Sequence, residues 1–127
     1  MTSTLSNGNH ALLADLIAHA KIPFIHVFSA EMFGTYKPAP GVYRGAAEKL
    51  GLSMEKCVMV AAHLNDLKAA KATGMRVVYV ERPGEEDWSH AEVEKARIEG
   101  WVDLWISLGE GNVGFLSVAD KLCKVTW

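Results

Sequence analysis

CVMVAAHLNDLKAAKATGMRVVYV, residues 57–80, is the stretch on which the fold turns. Cys57 to Ala62 is a nearly continuous apolar run, the pattern of a strand buried on both faces. His63-Leu64-Asn65-Asp66 then opens a helix that runs through Ala72, and Gly74 stops it. Met75 to Val80 is a second apolar strand, closed by Arg82-Pro83-Gly84. Strand, helix and strand follow one another with short links. That is the grammar of a parallel β/α unit with a right-handed crossover, and ligands of such folds sit beyond the carboxyl ends of the strands.

The same grammar extends toward the N-terminus. Thr2 to Leu5 is a short β-prone run that stops at Ser6-Asn7-Gly8-Asn9, residue types that suit a turn followed by a helix cap. Leu12, Leu13, Leu16 and Ile17 recur at helical spacing within His10 to Ala20, and Pro23 closes the segment. Phe24 to Phe28 is a brief β-rich run. Tyr36-Lys37-Pro38-Ala39-Pro40 is a stiff link that presents Lys37 on an extended loop, since proline fixes its own φ and restricts its predecessor. Gly41 to Leu50 reads as a helix ended by Gly51. Toward the C-terminus come an acidic loop with Trp88, a charged amphipathic stretch from Ala91 to Ile98 that leads to Val102-Asp103-Leu104-Trp105-Ile106, and a terminal helix at Phe115 to Leu122. No repeat or interdomain linker interrupts residues 1–127, so one α/β domain with a mainly parallel, three-layer Rossmann-like arrangement is expected.

Composition narrows the function classes. The 127 residues are 50% hydrophobic and 22% charged with a formal charge of −2, values of an ordinary globular domain. The basic residues are scattered, which argues against a nucleic-acid or anionic membrane surface and for a small-molecule or protein partner. No apolar run approaches the roughly 20 residues that span a bilayer, and Met1 to Ser6 lacks a basic region followed by an apolar stretch, so a soluble cytoplasmic protein is expected. Cys57 and Cys123 have no paired spacing and read as two buried thiols.

Three groups of residues, in order and spacing, resemble motifs of the haloacid dehalogenase superfamily, in particular its 2-haloacid dehalogenase branch. Leu5-Ser6-Asn7-Gly8-Asn9 is similar to the second motif. Tyr36-Lys37-Pro38 with Pro40 and Tyr43 is similar to the third, and Val60 to Asp66 followed by Gly74-Met75 to the fourth. The resemblance implies that Ser6 and Asn7 help hold a substrate carboxylate, that Lys37 balances charge around the nucleophile, and that Tyr43 and Asp66 support the site. The family's first motif, an Asp at a strand end with a Thr soon after, belongs ahead of the second with a helical cap between them. This sequence opens almost at the second motif. Asp15 lies inside a helix, Glu31 follows the Phe24 to Phe28 run, and Ala61 and His63 stand where small serine and asparagine side chains are expected. In the family the first-motif strand lies mid-sheet, so strand rearrangement or a homodimer is expected here.

The candidate catalytic residues are therefore Lys37, His63 and Asp66, and the candidate substrate-binding residues are Ser6, Asn7, Tyr43 and Asn65. Each has a plain structural alternative. Lys37 is either a donor to a substrate oxygen or a solvated loop lysine. His63 is either an acid, base or donor, or a capping imidazole. Asp66 either orients Lys37 or simply favours a first helical turn. Ser6 and Asn7 either bind a carboxylate with the first helix's N–H groups or cap that helix. The tryptophans read as packing, and Glu85-Glu86-Asp87 as a solvated loop cluster. No cofactor is expected, and no metal, because Asp66 alone is too few carboxylates for a hard cation. Three functions remain open. One is a repurposed enzyme that binds a small organic molecule, such as a carboxylic acid, and performs a non-hydrolytic cyclisation, rearrangement or isomerisation in secondary metabolism. Another is a non-catalytic interaction module. The third is a partial 2-haloacid dehalogenase-like hydrolase that needs an additional N-terminal segment.

Overall fold

The structure is a computed structural model that describes residues 1–109, 111 and 114–127, and these fall into two compact units, Met1–Ser53 and Met54–Trp127. Every strand pair in it is parallel.

In the first unit, strand β1 (Ser3–Ser6) pairs with β2 (His26–Ser29) in the register Ser3 to His26 and Ser6 to Ser29. Helix α1 (His10–Ala20) is the crossover between them. Asn9 is its N-cap, its Oδ1 accepting the N–H of Leu12 at 2.8 Å, as the polar turn after β1 predicts. A 3-10 turn, Ala30–Phe33, follows β2, and the Lys37–Pro38 peptide is cis. Helix α2 (Pro40–Leu50) opens with Pro40 in its first turn, where a missing N–H costs nothing, and ends at Gly51 in the left-handed region (φ 66°). Its buried face is Val42, Tyr43, Ala46 and Ala47. Gly45 lies against the Phe33 ring so closely that a Cβ would stand 2.5 Å from Cδ1.

The second unit begins with a 3-10 turn, Met54–Lys56, and contains strands β3 (Val58–Ala61), β4 (Arg76–Val80) and β5 (Leu104–Ile106) in the order β3-β4-β5. Helix α3 (Leu64–Ala72) links β3 to β4, and α4 (His90–Glu99) links β4 to β5. Helix α5 (Phe115–Leu122) follows. Strand β4 is central, so Val77, Val78, Tyr79 and Val80 are all buried. Val78 and Val80 pack with Ile106 and with Val118 of α5, while Tyr79 turns to the other face, its ring 4.8 Å from Trp105. Arg97 of α4 lies over Trp105 at 4.7 Å, which places α4 on that second face.

Strand β3 departs from expectation. Val58 is exposed and Met59 to Ala61 are only half-buried, not covered on both faces. Its place at the edge of the sheet is the reason: among the described residues it pairs with β4 alone. An apolar run records what a strand can bury, not how many neighbours it has. Cys57 is buried as read, but Cys123, the C-cap residue of α5, is exposed. Trp88 packs 6.5 Å from Trp101 as expected, whereas Trp127 is exposed, with Arg76 4.8 Å over its ring. No helix among the described residues is long and apolar enough to cross a membrane.

Candidate functional site

In the first unit the chemistry-bearing residues gather at the carboxyl end of β1. Ser6 ends the strand and its Oγ accepts the N–H of Gly8 at 3.1 Å. Buried Ser29, its strand partner, donates its hydroxyl to the carbonyl of Gly8 at 2.6 Å, so the turn is held from both sides. Asn7 then reaches the third-motif loop through two hydrogen bonds. The Lys37 N–H donates to Asn7 Oδ1 at 2.7 Å, and Asn7 Nδ2 donates to the Lys37 carbonyl at 3.1 Å. A side-chain amide has the donor and acceptor spacing of a peptide group, so Asn7 pairs with the Lys37 backbone as a strand neighbour would. Two positions 30 residues apart are thereby fastened together. Tyr36 and Ala39 close the loop as a turn, the Ala39 N–H donating to the Tyr36 carbonyl at 2.9 Å. Tyr43, three residues into α2, is fully buried and contributes to the floor of this unit.

The N-terminus of α1 is not an open anion site. Asn9 takes the Leu12 N–H, and the carboxylate of Glu31 takes the His10 N–H at 2.8 Å. Asn9 therefore does the capping that Ser6 and Asn7 were candidates for, and their side chains serve the turn and the Lys37 loop. Asp15 lies inside α1, and Glu31 is engaged with its N-terminus.

In the second unit His63, Asn65 and Asp66 lie together where β3 passes into α3. His63 is the N-cap residue but makes no side-chain cap bond, and Asp66 sits in the first turn. The His63 imidazole Nε2 stands 3.7 Å from Glu85 Oε2, both side chains being nearly half-exposed, so this pair is screened by water and holds little energy. Asn65 is exposed and Asp66 half-buried. The acidic loop is not merely solvated: Glu86 accepts the N–H groups of Leu64 at 2.9 Å and Trp88 at 3.0 Å. Below it, burial pushes the Tyr79 phenol up to about 12, with the negative charges of Glu86 and Glu81 and the hydrogen bond to Glu86 adding to the effect. Burial and then the charge of Glu55 likewise raise the Cys57 thiol. Among the described residues, no group of three or more His, Cys, Asp or Glu could hold a metal ion.

Ser29, Glu31 and Glu86 escaped the sequence reading, because each acts on a backbone group about 20 residues away and none belongs to a local pattern.

Known proteins match this arrangement. A family profile described as haloacid dehalogenase-like hydrolase matches residues 2–74, which include all three polar segments. Haloacetate dehalogenase H-2 of Moraxella sp. (strain B) is 32% identical over 82 residues, covering 63% of this chain and 37% of its own length. (S)-2-haloacid dehalogenase 4A of Burkholderia cepacia is 26% identical over 107 residues, covering 83% and 46%. The crystal structure of the L-2-haloacid dehalogenase PA0810 superposes with a TM-score of 0.75 at 33% identity, over 97% of this chain and 49% of that one. The chain thus spans less than half the length of these relatives.

Proposed function

The chain belongs to the haloacid dehalogenase-like hydrolases, and from that premise we propose that it carries the substrate-holding and charge-balancing part of a 2-haloacid dehalogenase-type site. The nucleophilic carboxylate of that site comes from a polypeptide segment that is not among residues 1–127. In this reading the substrate is a small 2-halocarboxylate. The carboxylate nucleophile attacks C2, forming a C–O ester bond as the C–halogen bond breaks and its electron pair leaves with the halide. Water then hydrolyses the ester. Lys37 supplies the positive charge that lets two anions, nucleophile and substrate, share one site. In this reading Ser6 and Asn7 hold the substrate carboxylate with Tyr43 behind them in the first unit, and Asn65 and Asp66 of the second unit keep supporting roles.

The observation that carries this reading is the double hydrogen bond between Asn7 and the Lys37 backbone. It fastens the β1-end turn to the lysine loop, as a site that uses both must be fastened. The dehalogenase relatives add weight to hydrolysis over cyclisation or isomerisation, and no specific contact among the described residues favours an interaction module.

The test is reconstitution. The full chain is co-expressed with the portion of Moraxella haloacetate dehalogenase that lies outside the matched region, and chloride release from chloroacetate is followed. Release should require both polypeptides and should fall roughly 10- to 100-fold in Lys37→Ala, the loss expected for a charge-assisted contact. In parallel, 2-chloropropionate titrated into the full chain alone should shift the backbone resonances of Asn7, Gly8 and Lys37. Release that is indifferent to Lys37→Ala, or an associated pair that folds without releasing chloride, would overturn the proposal.

A further inference from the structure

The group that closes the N-terminus of α3 comes from elsewhere in the unit. His63 has extended N-cap backbone (φ −122°, ψ 118°) but gives the helix no side-chain bond. The Leu64 N–H donates instead to Glu86 Oε2 at 2.9 Å, and the Trp88 N–H to Glu86 Oε1 at 3.0 Å. Tyr79, on the central strand, feels the negative charge of the same carboxylate. Two donors from two segments, the helix start and the loop, therefore meet on one side chain.

We propose that Glu86 is the positioning residue of the His63–Asp66 segment, setting the first turn of α3 and with it the directions of Asn65 and Asp66. The physical case has two parts. An anion at a helix N-terminus satisfies an N–H that has no intrahelical partner and meets the positive end of the helix dipole. A carboxylate also accepts on both oxygens, so it can take both donors at once, whereas an amide of the same shape must turn N–H hydrogens toward one of them. The other charged groups around it are Glu81 and Arg97, which act on Tyr79, the His63–Glu85 pair, and Lys68, which lies 5.6 Å over the Trp88 ring. The assignment rests on Asn65 and Asp66 being site residues, and it deepens the proposed function by naming what holds them.

The experiment compares the full chain with Glu86→Gln and Glu86→Ala. Backbone amide resonances are followed from acid to neutral pH, and the reconstituted pair is assayed for chloride release. In the unaltered chain the Leu64 and Trp88 amides should titrate together with one midpoint, since both report the same carboxylate. That shared titration should vanish in Glu86→Gln, and the Tyr79 ring should ionise at lower pH. Asn65 and Asp66 amides should move in Glu86→Ala and return part of the way in Glu86→Gln. In the reconstituted pair Glu86→Ala should lower kcat about 10- to 100-fold with KM little changed, the signature of a displaced group rather than lost substrate binding. Separate midpoints for Leu64 and Trp88, or Asn65 and Asp66 resonances unmoved in Glu86→Ala, would overturn the assignment. A shared titration together with no chloride release from the unaltered pair would refute the hydrolytic reading and leave the placement by Glu86 standing.

Discussion

Asn7→Ala tests the contact on which the functional reading depends. The substitution removes both bonds to Lys37, the 2.7 Å bond from its N–H and the 3.1 Å bond to its carbonyl, and leaves the turn held by Ser6 and Ser29. A net hydrogen bond is worth about 0.5–1.5 kcal/mol, and because water can replace these exposed partners the lower half of that range applies, giving about 1–2 kcal/mol for the pair. That corresponds to a factor of roughly 5–30 in a local equilibrium. The cost should appear as opening of the loop and not as global unfolding, so the assay is hydrogen exchange at the Lys37 amide, expected to quicken by that factor while amides of β4 keep their protection. Asn7→Asp keeps the acceptor for the Lys37 N–H and loses the donor to its carbonyl, so it should show about half the energetic effect. The 2-chloropropionate shifts at Lys37 should weaken in parallel. An unchanged exchange rate at Lys37 in Asn7→Ala would refute the idea that Asn7 ties the two motifs together.

Further expectations follow from the core and the strand ends. The Tyr79 phenol is raised from 10 to about 12, so between those values the unfolded chain ionises while the native one does not; unfolding then releases a proton, and stability should fall with rising pH by up to about 3 kcal/mol. Tyr79→Phe should remove that part of the slope in urea unfolding measured from pH 9 to 12. Gly45→Ala gains up to about 1 kcal/mol of helix propensity but must displace Phe33, whose ring meets Phe28 edge-on at 6.0 Å, so a net loss of about 1–2 kcal/mol and a changed near-ultraviolet circular dichroism signal are expected. Leu67, fully buried in α3, should cost about 2–5 kcal/mol when cut to alanine, read as a lower urea midpoint with an unchanged m-value.

What the sequence made legible was local. His10–Ala20 and Phe115–Leu122 are helices with the bounds their sequence predicts, because apolar periodicity is local, and the first also carries its polar cap, Asn9, beside it. Asn9 and Gly51 are the cap and the stop for the same reason. The three polar segments were visible as clusters at strand ends, and Asn7 and Lys37 do meet through one side chain. What stayed hidden was pairing at a distance. Val58 to Ala61 looks like a core strand by composition, yet its exposure is set by the number of strands beside it, which no residue in the run encodes. Glu86 looks like one charge among three in a loop, and only the fold brings it to the Leu64 N–H, 22 residues earlier in the chain.

The two units also solve one problem in the same way. In each, a parallel strand passes into a helix whose first N–H is taken by a carboxylate from just beyond the next strand: Glu31 after β2 bonds His10, and Glu86 after β4 bonds Leu64. A right-handed crossover returns the chain so that the end of the second strand lies beside the start of the preceding helix, which makes this the natural place from which to cap it. The consequence for binding is restrictive. A helix N-terminus is ordinarily a ready anion site, but an internal carboxylate has already taken the leading N–H here, so neither helix offers its first N–H to an anionic substrate. Under the proposed function, recognition of a halocarboxylate would then fall to side chains. Asn7 uses one of its two amide hydrogens on the Lys37 carbonyl, and in the proposed site the second would be offered to the substrate and the Lys37 ammonium would supply the compensating charge. Glu31→Gln should therefore leave 2-chloropropionate binding nearly unchanged while Lys37→Met abolishes it. Tighter binding in Glu31→Gln would instead mean that the helix N-terminus, freed of its own carboxylate, is where the substrate carboxylate sits.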